Sequence, residues 1–386
     1  MLHILSNLKT RIRFDRNELA GAFGDMGTDL PLIIGIIAAS DLDAASVLIV
    51  YGCMQFFSGI WYGIPMPVQP LKAFAAIVIA QKVTGNIIYG GGLAIGIVML
   101  VLSLTGLINW LARVVPKPVV RGIQLGLGLQ LATLALKEYV QAEATTGYML
   151  AGICFILVLF LYGNRKFPPA LFIIAAGTIY ALLYKLKLID FSNSLSFHLP
   201  VLHIPASSDI WTGFLLLALP QIPLSLGNSI LATNQIVKDY YPEKNLGVRK
   251  ISFTYSLMNL VSPLVGGIPV CHGSGGMAGH HAFGARTGGS VLIYGSLFLV
   301  LGLFFSEGFA TVVQLFPMPV LGTLLFFEGL ALAVLVRDVA FIKADLVVSA
   351  LVGIICIGLP YGYLIGMLSG TIVYYLMQKN LTNFGR

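Results

Sequence analysis

The sequence predicts an all-α polytopic membrane protein, built as a seven-plus-seven transmembrane inverted repeat. Composition, the distribution of basic residues and a repeated proline-broken segment predict it. Hydrophobic residues make up 57% of the 386 and charged residues 10%, with a mean hydropathy of +0.89. Soluble domains carry about 25% charged residues. At about 20 residues per crossing, the chain has room for roughly 12 to 14 spans and short loops. No stretch is polar and long enough to form a separate soluble domain.

Apolar runs place fourteen spans at roughly 19–40, 44–62, 66–82, 87–111, 118–137, 147–163, 168–185, 209–236, 251–268, 270–284, 289–308, 318–336, 344–358 and 360–378. With the N-terminus inside, fourteen crossings put eighteen of the 23 Lys and Arg on the inside. Four (Lys82, Lys137, Lys185 and Lys187) fall outside, and Lys72 lies within a span. A bias of this size obeys the positive-inside rule. Both termini are therefore expected on the cytoplasmic side of the cell membrane. The net charge of +7 follows loop topology and does not call for nucleic acid. Residues 1–16 have no long apolar h-region or cleavage site, so they read as an amphipathic lead-in helix and not as a signal peptide. Cys53, Cys154, Cys271 and Cys356 form no C-x-x-C pair, which suggests neither a disulfide framework nor zinc.

The repeat is legible in the prolines. Val-Pro-Lys-Pro-Val at 115–119 matches Phe-Pro-Met-Pro-Val at 316–320, an offset of 201 that also lays Gly128 on Gly329. Gly-Ile-Pro at 63–65 recurs at 267–269, an offset of 204. Seven spans separate equivalent points, and an odd number inverts the second copy.

Four segments carry chemistry. The first, Gly24-Asp25-Met26-Gly27-Thr28-Asp29-Leu30-Pro31, puts two acids into or near the first span. Intramembrane acids are costly and mark coupling sites or substrate paths; the alternative is an interfacial acid and one paired with Lys72. The second, Pro65 to Ala73, breaks the third span, leaving about 14 helical residues, near 21 Å against a hydrocarbon core of about 30 Å. A half-helix starting near Pro67 or Pro70 would aim free N–H groups and its positive dipole end into a cavity, an anion site made of backbone. Gln69 adds an amide and Lys72 a charge, unless Lys72 is the buried partner of Asp25 or Asp29.

The third segment, Leu219 to Ser229, places Pro220 and Pro223 in the eighth span, with Gln221, Ser225 and Asn228 as neutral hydrogen-bonding groups for a ligand or for neighbouring helices. The fourth, Pro269 to His281, is the inverted partner of the second. Its glycines permit close backbone approach, and Ser274 adds a hydroxyl. Two half-helix tips would then face each other across the midplane and hold a dianion without a metal. The segment is not a P-loop, because no Gly-Lys-Ser/Thr follows, and His280-His281 has no acidic cluster to make a metal site. Glu328, in the twelfth span, is the remaining deep acid.

These segments resemble the molybdate transporter family, a branch related to the SulP sulfate permeases. The resemblance rests on G-D-M-G-T-D-L-P at 24–31, P-M-P-V-Q-P-L-K-A at 65–73, V-V-R-G-I-Q at 119–124, P-Q-I-P-L-S at 220–225, P-V-C-H-G-S-G-G-M-A-G at 269–279 and F-G-A-R-T-G at 283–288. Met26 and Leu71 depart from the family's usual residues, and neither change touches a polar group. The resemblance implies the inverted-repeat fold of SulP and nucleobase transporters. It implies a core domain at about 17–112 and 207–310, a gate domain at about 113–206 and 311–380, and no STAS domain.

The expected function is proton-coupled import of molybdate by alternating access, with no cofactor and no enzymatic activity. Gln69, Cys271, His272, Gly273 and Ser274 would contact the oxyanion, with Thr28 and Gln221 lining the cavity. Lys72 or protonated His272 would offset its charge. Asp25, then Glu328, would couple protons. Tungstate or sulfate could occupy the same site, and an anion channel is a further alternative. A nucleobase site is disfavoured because the eighth and tenth spans supply no acid. A homodimer through the gate domain is suggested by fold analogy alone.

Overall fold

The structure, a computed structural model, describes residues 11–162, 164, 167, 169–184, 197–305, 316–359 and 362–379. Most of the lead-in segment and the loop charges Lys9, Arg165, Lys166, Lys185, Lys187 and Arg386 lie outside the described residues. Every expected span contains helix. In the first half these are α1 (Arg16–Ala22), α2 (Met26–Ala39), α3 (Ala44–Tyr62), α4 (Lys72–Gln81), α5 (Gly85–Leu104), the short α6 (Leu107–Val114), α7 (Lys117–Leu134), α8 (Ala144–Leu161) and α9 (Pro169–Tyr184). In the second they are α10 (Ser207–Gly213), α11 (Leu219–Leu224), α12 (Thr233–Tyr240), α13 (Val248–Val261), α14 (Ser274–Ala282), α15 (Gly289–Phe304), α16 (Met318–Ala333), α17 (Lys343–Gly358) and α18 (Gly362–Gln378). Among the described residues, five helices are individually long and apolar enough to cross a membrane, and seven if each of two bent helix pairs counts as one span.

The bends sit where the sequence weakens the helix. The first span turns by 42° between α1 and α2, at Phe23-Gly24-Asp25. The eighth bends by 51°, with π-helical turns at Phe214–Ala218 and Ser225–Ala232 on either side of the α11 prolines. Proline removes a ladder hydrogen bond, and a widened turn re-pairs the freed carbonyls.

The departure from an all-helical chain is a pair of three-residue strands, β1 (Val68–Pro70) and β2 (Val270–His272), joined antiparallel. The register is Val68 opposite His272, Gln69 opposite Cys271 and Pro70 opposite Val270. The sequence reading started the half-helices near Pro67 or Pro70 and near 270; they start at Lys72 and Ser274. For α4 the reason is local. Met66 and Gln69 each precede a proline, which pushes them into extended backbone, so the strand continues until the prolines end.

Two sets of helices pack closely. α3 lies on α15, and α5 on α13 and α10, while α7 lies on α16 and α17, and α17 on α18. The inverted repeat appears in the contacts themselves. Gly128 on α7 and Gly329 on α16 cross backbone to backbone. A methyl at either glycine would stand 2.5 Å from the carbonyl oxygen of the other. The offset of 204 also relates the side chains that grip the broken backbone, while the residues they hold are 202 apart. Gln55 of α3 grips both Val68 N–H and C=O, and Asn259 of α13 grips both polar groups of Val270. Ser58 donates to Met66 O, and Ser262 to Ile268 O.

A buried polar cluster at the tips of two half-helices

Pairing of β1 with β2 brings the starts of α4 and α14 side by side. Leu71 N–H donates to Pro269 O at 3.2 Å and extends the pairing to the edge of α4. Both strands are completely buried, and the polar groups of Val68 and Val270 are held by the amides of Gln55 and Asn259, as backbone broken within a membrane requires.

All expected site residues converge here, but in different roles. Gln69 donates through Nε2 to Asp25 Oδ1 at 2.5 Å, and its Oε1 has no donor. The carboxamide lies against Gly273 so closely that any side chain at that glycine would overlap it. Thr28 donates to Glu328 Oε2 at 2.8 Å. Ser274 donates to Asn228 Oδ1 at 2.5 Å. His272 Nε2 meets the Thr254 hydroxyl at 3.0 Å, and Tyr62 packs edge-on against its ring. No carboxylate bonds to this imidazole among the described residues. Cys271 is buried on β2 opposite Gln69.

Two expectations change. Lys72 is not a contact partner of Asp25 or Asp29. Its Nζ is buried without a hydrogen-bond partner, and no carboxylate lies within ion-pair distance among the described residues. Gln221 acts on α4: its Oε1 accepts from Phe74 N–H at 3.1 Å and caps the first turn, while its Nε2 donates to Ser225 at 3.2 Å. It satisfies one of the free N–H groups that the anion-site reading left open.

The first turn of α14 is also occupied. A methyl at Gly275 would stand 2.4 Å from Glu328 Oε1, and one at Gly276 would stand 2.2 Å from Asp25 Oδ2. Two carboxylates thus lie against the electropositive tip, where an anion is stabilised by the helix dipole. The open space is elsewhere. A cavity of about 790 Å³ reaches Lys72 and Ala73 at the start of α4, and runs out between Gln81, Leu134, Leu215, Leu359 and Gly362. Of the expected ligands, Lys72 alone lines it; the others are buried and do not.

Sequence reasoning missed Tyr51, Gln55, Thr254, Asn259 and Tyr294, which orient the cluster. The available signal was the repeat offset: Tyr51 and Tyr255, Gln55 and Asn259, and Ser58 and Ser262 are each separated by 204.

The chain matches the family model "Molybdate transporter of MFS superfamily" over residues 17–131 and 213–332. It is 33% identical to molybdate transporter 1 of Arabidopsis thaliana, over 98% of this chain and 92% of that protein. It is 33% identical to molybdate transporter 2 of the same plant, over 86% and 82%. Among solved structures it resembles the transmembrane domain of the cyanobacterial bicarbonate transporter BicA, with a TM-score of 0.56 and 18% identity over 94% of this chain and 98% of that one. It also resembles SLC26A9, with a TM-score of 0.59 and 13% identity over 95% and 66%. Those two likenesses establish the fold. The sequence relatives go further, and with the paired half-helices in place they show that the chain belongs to the molybdate transporter family.

Proposed function

We propose that this protein imports molybdate across the cytoplasmic membrane as a proton-coupled secondary transporter. The observation that carries this reading is the junction of two half-helix N-termini with one unpaired lysine, reached by an open cavity. A tetrahedral dianion entering that cavity first meets Lys72 and the α4 tip. Gln69 then turns from Asp25 toward the anion, bringing it onto β2 and α14 with Cys271, His272, Gly273 and Ser274. Asp25 and Glu328 lie against α14 where the anion must come close. Three buried carboxyl groups, counting Asp29, beside one ammonium would, if all ionised, leave excess negative charge that a sealed site does not hold. Protons on Asp25 and Glu328 remove that charge as the anion arrives, so anion and proton travel together.

The cavity mouth lies at the helix ends that the positive-inside rule assigns to the outside, near Gln81, Leu134 and Leu359. The described conformation is therefore read as outward-open, with α1–α6 and α10–α15 as the core and α7–α9 and α16–α18 as the gate. Both termini are placed in the cytoplasm.

The test is uptake of labelled molybdate by proteoliposomes, with and without an inward proton gradient and with sulfate as competitor. Saturable, gradient-driven uptake that survives equimolar sulfate is expected. Block by equimolar sulfate would reassign the substrate to sulfate, and currents beyond a carrier's turnover would make the protein a channel.

A further inference from the structure

We propose that Asp29, bonded to Tyr51, is a proton-carrying residue of the transport cycle, and that its proton sets the hydrogen bonding of strand β1. This deepens the proton-coupled reading above and rests on it.

The argument is a count of protons. Val68 N–H donates to Gln55 Oε1 at 2.9 Å, which fixes that amide's orientation, and Gln55 Nε2 donates back to Val68 O at 2.7 Å. Val68 O is a carbonyl and can only accept. The Tyr51 hydroxyl lies 2.5 Å from it, so Tyr51 spends its single proton there. The same hydroxyl oxygen also bonds Asp29 Oδ2. A second proton is needed for that contact, and Tyr51 has none left. Asp29 supplies it: the carboxyl is protonated on Oδ2 and donates to Tyr51. Tyr294 on α15 reaches the same Oδ2 at 3.3 Å and can donate to its remaining lone pair.

The surroundings agree. Asp29, Tyr51 and Tyr294 are at most 1% exposed. The charged and titratable groups facing Asp29 are Asp25 from its own segment, Tyr51 from α3, Lys72 from α4, Tyr294 from α15 and Glu328 from α16. Asp29 Oδ1 meets no donor, and the Asp25 carboxylate lies beside it. The other half of the repeat supplies an internal comparison. Tyr255, at the offset of Tyr51, pairs its hydroxyl with Ser225 Oγ at 2.8 Å. The equivalent tyrosine there has a neutral hydroxyl partner; in the first half the partner is a group that can lose its proton.

Loss of that proton has a defined effect. The proton leaves Asp29 for water on the release side, and no heavy-atom bond changes. Asp29 becomes an acceptor, and Tyr51 turns its proton from Val68 O to the carboxylate. Val68 then keeps only Gln55, and Val68 adjoins Gln69 on β1. Proton release thereby loosens the strand that carries a substrate-binding amide, and proton binding tightens it.

The test uses the full chain, as wild type, Asp29→Asn and Tyr51→Phe. An asparagine can donate N–H to Tyr51 and preserve the protonated pattern, so thermal unfolding of Asp29→Asn should match wild type. Infrared spectra of wild type should contain a protonated-carboxyl band that is lost in Asp29→Asn. In Tyr51→Phe the band should persist, shifted to higher frequency by the missing hydrogen bond. In proteoliposomes, accumulation driven by a proton gradient should be lost in Asp29→Asn. An infrared band identical in wild type and Asp29→Asn would overturn the proposal, and so would wild-type accumulation by that variant. Failure of wild type itself to accumulate molybdate would instead sink the transport reading, while the infrared comparison would still decide whether Asp29 holds a proton.

Discussion

Arg121 Nη2 on α7 lies 2.7 Å from Asp239 Oδ2 on α12, joining a helix of the first half to one of the second. The same guanidinium forks onto Asp338 after α16 at 2.5 and 3.0 Å and donates to Gln124 at 2.8 Å. At 2% exposure Arg121 is dry, while its acidic partners are partly wet. On the topology proposed above, this end lies opposite the cavity mouth, and the bond would close that side while the other is open.

Arg121→Gln should therefore shift the protein toward the opposite-facing state. Single cysteines placed along the inner ends of α7 and α12 should become reactive to a membrane-impermeant thiol reagent. Removing one partner of a buried ion pair costs about 3–5 kcal/mol, and solvent at both aspartates should bring the loss in unfolding stability to the low end. Arg121→Lys, lacking the planar fork, should not restore wild-type behaviour.

Lys72→Ala should weaken molybdate binding. A charged hydrogen bond contributes about 1.5–3 kcal/mol, which corresponds to roughly 10- to 150-fold in Kd. Equilibrium binding of labelled molybdate to purified protein measures it. Because Lys72 makes no ion pair among the described residues, its removal should leave the melting temperature close to wild type.

Gln221 separates capping from charge. Gln221→Ala orphans the Phe74 N–H and should cost about 1 kcal/mol of stability, with a modest loss of affinity. Gln221→Glu keeps an acceptor for Phe74 but places a negative charge beside the α4 tip. It should retain stability and lose far more affinity than the alanine variant. Thermal unfolding and binding on the same preparations check both outcomes.

Gly329→Ala should destabilise by about 1–3 kcal/mol, the usual cost of forcing extra volume into a packed contact. Gly128→Ala should behave alike. The double variant should not show the sum, since both substitutions open the same crossing. Thermal unfolding of the three variants is the measurement.

The half-helices were legible because proline leaves a mark that composition cannot hide. Two Gly-Ile-Pro copies in an apolar chain announced both breaks, and the offset of 201 named Gly128 and Gly329 before they were seen to touch. The strands were not legible. Val-Gln-Pro and Val-Cys-His are too short for a period of two, and their pairing joins residues about two hundred apart. Gln55 and Asn259 were missed because each is a single polar residue in an apolar helix, with no local pattern to separate a backbone clamp from an interhelical bond. Arg121 stood at the edge of its span and was counted as loop charge; its role depends on two aspartates from distant helices.

The contact between α7 and α16 contains no side chain at its centre. Bare peptide against bare peptide brings the two helix axes closer than any side chain would allow. The tightness of this seam is thus written into two missing methyl groups, one from each half of the chain.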